Sequence, residues 1–185
     1  MYDQIERELK ILVTKEIYEK ILNSYAFNES RTQINTYYDT KDQLIKRNKG
    51  AMRIRKIGNQ NIFTLKIRKD SITHFEYEKD INVDTISDIH DDEIEKWLSM
   101  IPLEEEVYPV ITFKTIRNIY IMECGELCVD MTIYENHIDY EIEYEYTSDH
   151  DGIKTFNEIL KPFGLTYHKN CPSKIARAMA SKICE

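Results

Sequence analysis

Glycine and proline are scarce, five and four in 185 residues, which excludes long flexible linkers and disordered arms. No apolar run approaches the roughly 20 residues needed to cross a bilayer. The opening MYDQIERELK is charged and lacks the apolar centre of a secretory leader, so a cytoplasmic protein is expected. The four cysteines, Cys124, Cys128, Cys171 and Cys184, form no CxxC pair and no zinc-like spacing. They read as reduced, partly buried thiols. No GxxxxGK[ST] segment occurs, which removes the P-loop as a phosphate cradle. Positive excess is missing too. A net charge of −8 disfavours broad contact with nucleic acid or an anionic membrane, although such an average can hide a local cationic site.

What is present is a period of two. Ile5, Arg7, Leu9 and Ile11 alternate with Glu6, Glu8 and Lys10. The same pattern recurs at Met52 to Arg55, Phe63 to Arg68, Phe75 to Glu78 and Tyr140 to Tyr146, and it is the mark of strands with one apolar and one polar face. Further strands are expected around Asn35 to Asp39, Val110 to Ile121 and Glu126 to Ile133. About eight strands suffice to close a small barrel. Helices fit Lys15 to Ser24 after a Thr14 N-cap, Asp91 to Ile101, Ile153 to Phe163 and Ser173 to Ile183. With no internal repeat and no break in composition, one α+β, β-dominated domain over 1–185 is expected, an eight-stranded antiparallel barrel with flanking helices.

The polar faces sort by sign. Glu6 and Glu8, Asp130, and Glu141 and Glu143 gather acids; Arg53 and Arg55, and Lys66 and Arg68, gather bases. Two carboxylates about 4 Å apart repel by roughly 4 kcal/mol even at an effective dielectric of 20, against a total stability of about 5–15 kcal/mol. Converging acids therefore require either water or cations, and hard oxygen ligands favour Mg²⁺ or Mn²⁺. Inward-facing Lys10, Arg53, Arg55 and Lys66 require a polyanion, and guanidinium forks suit phosphate oxygens. Trp97 fits the apolar side of a helix and reads as core. Glu76 and Glu78 fit a solvated face as well as an inward one, and the histidines show no ligand spacing.

These residues, in order, resemble the CYTH superfamily, the triphosphate tunnel metalloenzymes. Glu6-Arg7-Glu8-Leu9-Lys10 matches its ExExK signature, and Thr36-Tyr37-Tyr38-Asp39-Thr40 its TYYDT strand. Met52 to Arg55, Leu65-Lys66, Phe113 to Arg117, Val129-Asp130, Glu141-Ile142-Glu143 and Ser173-Lys174 follow in family order. The length is similar to that of the short YjbK-type bacterial members. The resemblance implies a tunnel in which Glu6, Glu8, Asp130, Glu141 and Glu143 hold one or two metals. Lys10, Arg53, Arg55, Lys66, Arg117 and Lys174 would hold phosphates, and Tyr37 sits where some members pair a Tyr with the ExExK lysine. Lys10, Tyr37, Glu141 and Glu143 are the expected catalytic set, with water attacking the terminal phosphorus. The expected activity is a Mg²⁺- or Mn²⁺-dependent triphosphatase on inorganic or small organic triphosphate, in a monomer or homodimer without nucleic acid or membrane. Class IV adenylate cyclase, thiamine triphosphatase, a non-catalytic polyphosphate binder and a purely structural barrel are the alternatives.

Overall fold

The computed structural model describes residues 5–183, with the side chains of 182 and 183 left aside. Eight strands form: β1 Ile5–Val13, β2 Glu29–Asp39, β3 Gly50–Ile57, β4 Gln60–Arg68, β5 Thr73–Ile81, β6 Tyr108–Ile121, β7 Gly125–Ile133 and β8 Ile138–Tyr146. They follow the order β1-β5-β4-β3-β2-β6-β7-β8 in a closed antiparallel barrel. The helices are α1 Lys15–Leu22, α2 Leu44–Arg47, α3 Asp92–Leu98, α4 Gly152–Leu160 and α5 Lys174–Ile183. Among the described residues no helix is long and apolar enough to cross a membrane. The described residues divide into two compact units, Ile5 with Gln33–Phe113, and Glu6–Thr32 with 114–183.

In the first unit β2, β3, β4 and β5 pair in sequence order. One face of this sheet is apolar: Tyr38, Met52, Ile54, Phe63 and Leu65 pack with Ile45 of α2 and with Ile94 and Trp97 of α3. Trp97 is buried and stacks on Phe63 with ring centres 6.3 Å apart, as its helical position predicted. Asp91 caps α3, its carboxylate accepting from the N–H groups of Glu93 and Ile94. The short α2 and a 3-10 turn at Ile86–Asp88 are additions to the sequence-based expectation. Four residues are too few for apolar periodicity to register. Asp39 creates α2: its buried carboxylate accepts from the N–H groups of Thr40 at 2.8 Å, Ile45 at 2.9 Å and Lys46 at 3.2 Å. β2 also starts six residues earlier than Asn35, where Glu29 to Gln33 is too polar to read as strand.

In the second unit β6, β7, β8 and β1 pair in that order. Leu9, Leu127, Val129, Ile142 and Tyr144 are buried with Ile21 of α1 and Phe156 of α4. Tyr144 stacks on Phe156, and Tyr18 of α1 lies against Tyr140, so the Tyr-rich end of β8 is packing. Thr14 caps α1 by accepting from Ile17 N–H, and Asp151 caps α4 by accepting from Lys154 N–H. Both sheets thus bury their apolar face under helices. The opposite face of each carries the ionisable side chains.

Candidate active site

Strand register builds the acidic cluster of the second unit. Arg117 lies opposite Asp130, and Asp130 opposite Glu141. In the next row Cys128 faces Glu143, and Glu143 faces Lys10; in the row after, Glu126 faces Glu145, and Glu145 faces Glu8. Side chains two residues apart share a face, so ExE on β1 and on β8 delivers its carboxylates to one surface. They are not solvated: Glu8, Asp130, Glu141 and Glu143 are at most 4% exposed. Glu6 is half-buried on the same strand face.

Cations compensate this burial. The Lys174 ammonium lies 2.9 Å from Asp130 and 2.8 Å from Glu143, and also pairs with Glu141. Arg117 donates to Asp130 at 2.8 Å, to Glu145 at 3.2 Å, and to Glu143. Lys10 donates to Glu8 at 2.5 Å. Arg177, one turn after Lys174 on α5, holds Asp139 at 2.7 Å and Glu141 at 2.6 Å. Burial disfavours the Lys174 ammonium, yet Asp130, Glu141 and Glu143 outweigh it and hold its pKa well above the ordinary lysine value. The two β8 carboxylates diverge. Burial, with repulsion from Glu143, raises Glu141 despite Lys174. Glu143, buried too, is held far below the usual range by Lys174, Arg117 and Lys10.

Three groups in this unit bring ligand atoms within 4.8 Å of one another: Asp130 with Glu141 and Glu143, Glu8 with Glu143 and Glu145, and Glu126 with Cys128 and Glu145. The first two present only carboxylate oxygen, the donor set of a hard divalent cation. The residues present therefore fit such an ion.

Sequence reasoning passed over several members. Glu145 and Asp139 sit in the same acidic strand as Glu141 and Glu143, and continuing the period of two would have found both. Cys171 donates its thiol to Glu141 at 3.1 Å, and burial, with that carboxylate beside it, pushes its pKa up to about 12. Asn170 pins the segment before α5 to β1, accepting from Lys10 N–H at 2.8 Å and donating to Glu8 C=O at 3.0 Å. No local signal marks either residue. Cys124, Cys128 and Cys171 are free, as expected; Cys184 lies outside the described residues.

The first unit carries the other expected cations. Arg53 lies opposite Tyr37 on one side and Thr64 on the other, and Arg55 lies opposite Asn35. Arg53 donates to the Tyr37 hydroxyl at 3.3 Å and to Glu76 and Glu78 at 3.4 Å each. Lys66 is 4.0 Å from Glu76, and Arg55 donates to Asn35 at 3.2 Å. Tyr37 is buried and stacks on Phe113. Burial alone would raise its hydroxyl pKa, but Arg53, Arg55 and Lys66 lower it overall. Glu76 and Glu78 thus belong to the charged face rather than to a merely solvated one. The sorting by sign is looser than the sequence suggested, since Arg117 stands among the acids and these two glutamates among the bases.

Fold and site together define a barrel whose buried polar face is built to hold charge. A family model described as the CYTH domain matches residues 4–178, and the chain belongs to the CYTH domain family. It is 26% identical to YjbK of Bacillus subtilis, named as a candidate triphosphatase, over 98% of both chains. Among solved structures, a candidate adenylate cyclase from Bacillus halodurans matches with a TM-score of 0.81 and 30% identity, covering 93% of this chain and 96% of that one. A candidate adenylyl cyclase from Hippeastrum, described as having a dominant triphosphatase activity, matches with a TM-score of 0.76 at 20% identity, over 96% of this chain and 95% of that one. At that identity the likeness concerns the fold.

Proposed function

We propose that this protein is a divalent-metal-dependent triphosphatase acting on inorganic triphosphate or a small organic triphosphate in the cytoplasm. The observation that carries this reading is the buried carboxylate triad Asp130, Glu141 and Glu143, with ligand oxygens within 4.8 Å of one another. A purely structural barrel gains little from such a triad, because apolar residues of similar volume in place of a buried, paired charge cluster are often neutral or stabilising.

Asp130, Glu141 and Glu143, with Glu8 and Glu6, would hold Mg²⁺ or Mn²⁺. When bound, such an ion neutralises phosphate charge and polarises the reacting phosphoryl group. Lys10, Arg53, Arg55, Lys66, Arg117 and Lys174 are proposed to bind phosphate oxygens. For Lys174 and Arg117 this means exchanging a carboxylate partner for a phosphoryl one. Glu141 and Glu143 orient the attacking water, Lys10 assists at the phosphate, and Tyr37, with its hydroxyl pKa lowered, supports Arg53 against the substrate.

A phosphate-release screen across inorganic triphosphate, ATP and thiamine triphosphate, each with Mg²⁺ and Mn²⁺, tests the reading. Turnover in wild type that disappears in Glu141→Gln and Glu143→Gln is expected, with Arg55→Ala raising KM more than it lowers kcat. Undiminished activity in both glutamine variants would overturn the metal assignment. The likeness to a candidate adenylate cyclase at 30% identity keeps ATP cyclisation as the second reading. Cyclic AMP formed without released phosphate would decide for it.

A further inference from the structure

The charged face of the first unit is laid out in rows by register. Tyr37, Arg53, Thr64 and Glu78 form one row; Asn35, Arg55, Ile62 and Asp80 form the next. Successive rows are two residues apart, about 7 Å along a strand, so Arg53 and Arg55 span a length suited to linked phosphoryl groups. Gln33 precedes Asn35 by two residues on β2 and opens the row beyond Arg55 on the same face. It is 2% exposed, and its side-chain Nε2 has no hydrogen-bond partner among the described residues. Buried amide donors are almost always satisfied, and leaving one open costs stability. Retention of such a donor one row beyond Arg55 points to a ligand acceptor.

The donor's chemistry narrows the choice of acceptor. Formally charged phosphoryl oxygens are matched best by Arg and Lys, and Arg53 and Arg55 already stand in the two preceding rows. A carboxamide N–H is neutral and suits an uncharged oxygen, such as an ester bridge or a sugar hydroxyl. We propose that Gln33 is a specificity-determining residue, donating to an oxygen of the organic group that follows the last phosphate, so that the substrate class is an organic triphosphate ester. The inference rests on the triphosphatase reading and names its substrate class.

The test compares wild type with Gln33→Leu on inorganic triphosphate, ATP and thiamine triphosphate, alongside thermal unfolding without ligand. Leucine removes the open donor at similar volume, so the variant should unfold no earlier than wild type. Its kcat/KM for the organic triphosphates should fall about three- to tenfold, the worth of one neutral hydrogen bond, with inorganic triphosphate changed by less than about twofold. Should Gln33→Leu not fold, Gln33→Met, with a flexible side chain of similar length, carries the same comparison. Equal losses on all substrates, no loss on any, or a wild type active on inorganic triphosphate alone would overturn this inference and leave the triphosphatase reading standing. A wild type inactive on every substrate would overturn both.

Discussion

Lys174→Met is the sharpest probe of the acidic cluster, because it removes one ammonium from among three buried carboxylates. Lys174 is 13% exposed along its side chain, and Asp130, Glu141 and Glu143 are 0%, 0% and 5% exposed, so water screens the loss poorly. Removing one partner from a buried ion pair costs about 3–5 kcal/mol. At about 2–4 °C per kcal/mol for a chain of this size, Tm should fall by roughly 6–20 °C in EDTA. Methionine keeps most of the volume, so packing adds little. If the carboxylates form a divalent-cation site, the vacated charge can be replaced. A cation at 100 times its Kd stabilises the folded state by about 2.7 kcal/mol, and Mg²⁺ or Mn²⁺ should raise the Tm of the variant more than that of wild type, where the ammonium competes. Calorimetry or circular dichroism in EDTA and through a Mg²⁺ titration gives both numbers. A variant melting within about 2 °C of wild type in EDTA, or an equal Mg²⁺ response in both proteins, would refute the reasoning.

Asp39→Ala should destabilise by about 1–3 kcal/mol through loss of the carboxylate that accepts from three backbone N–H groups. Phosphate release per folded molecule should be unchanged, which unfolding and turnover measured on the same preparation would check. Asp91→Asn keeps a good cap for α3 but removes the charge paired with Lys79. Hydrogen bonding from Lys79 and from the Ile94 N–H holds the Asp91 carboxyl below its ordinary value. Its contribution is therefore present above the unfolded pKa and lost as pH falls through the lower folded one. The Tm difference between wild type and variant should close below about pH 4, and a gap persisting in acid would contradict this. Arg177→Lys loses the forked grip on Asp139 and Glu141. It should lower kcat with little change in KM, as steady-state kinetics on the purified variant would show.

The sequence made the strands legible because a period of two survives even where both faces are buried. On β8, Tyr140, Ile142 and Tyr144 mark the helix-covered face, while Glu141 and Glu143 mark the other. Helices with caps were equally visible, Thr14 before α1 being one. Asp39 was visible only as part of a motif. Its work is to accept from Ile45 and Lys46, contacts that exist only once the chain turns back on itself. The same limit hid Arg177, whose distance from Asp139 and Glu141 in sequence is 38 and 36 residues. Cys171 read as an inert thiol because nothing around it in the chain is acidic, and its partner Glu141 is 30 residues away. Local pattern reports which face a residue occupies; it does not report who stands opposite.

The two sheets also explain how a chain of this size keeps charge in its interior. In each unit the apolar face of the sheet is covered by helices, α3 in one and α1 and α4 in the other, so burial of Phe63, Leu65, Trp97, Ile142 and Phe156 does not compete with the polar faces for the same space. Each well-buried apolar side chain contributes about 1.5–3 kcal/mol, enough in sum to offset ion pairs that by themselves are neutral or costly. The acids and bases neutralise one another without ligand, Lys174 and Arg117 taking the positions among the carboxylates that a divalent ion would otherwise hold. Binding then becomes an exchange of partners and not a creation of new buried charge. For that reason the difference in metal response between wild type and Lys174→Met, more than either melting temperature alone, reports whether the cluster was built for an ion.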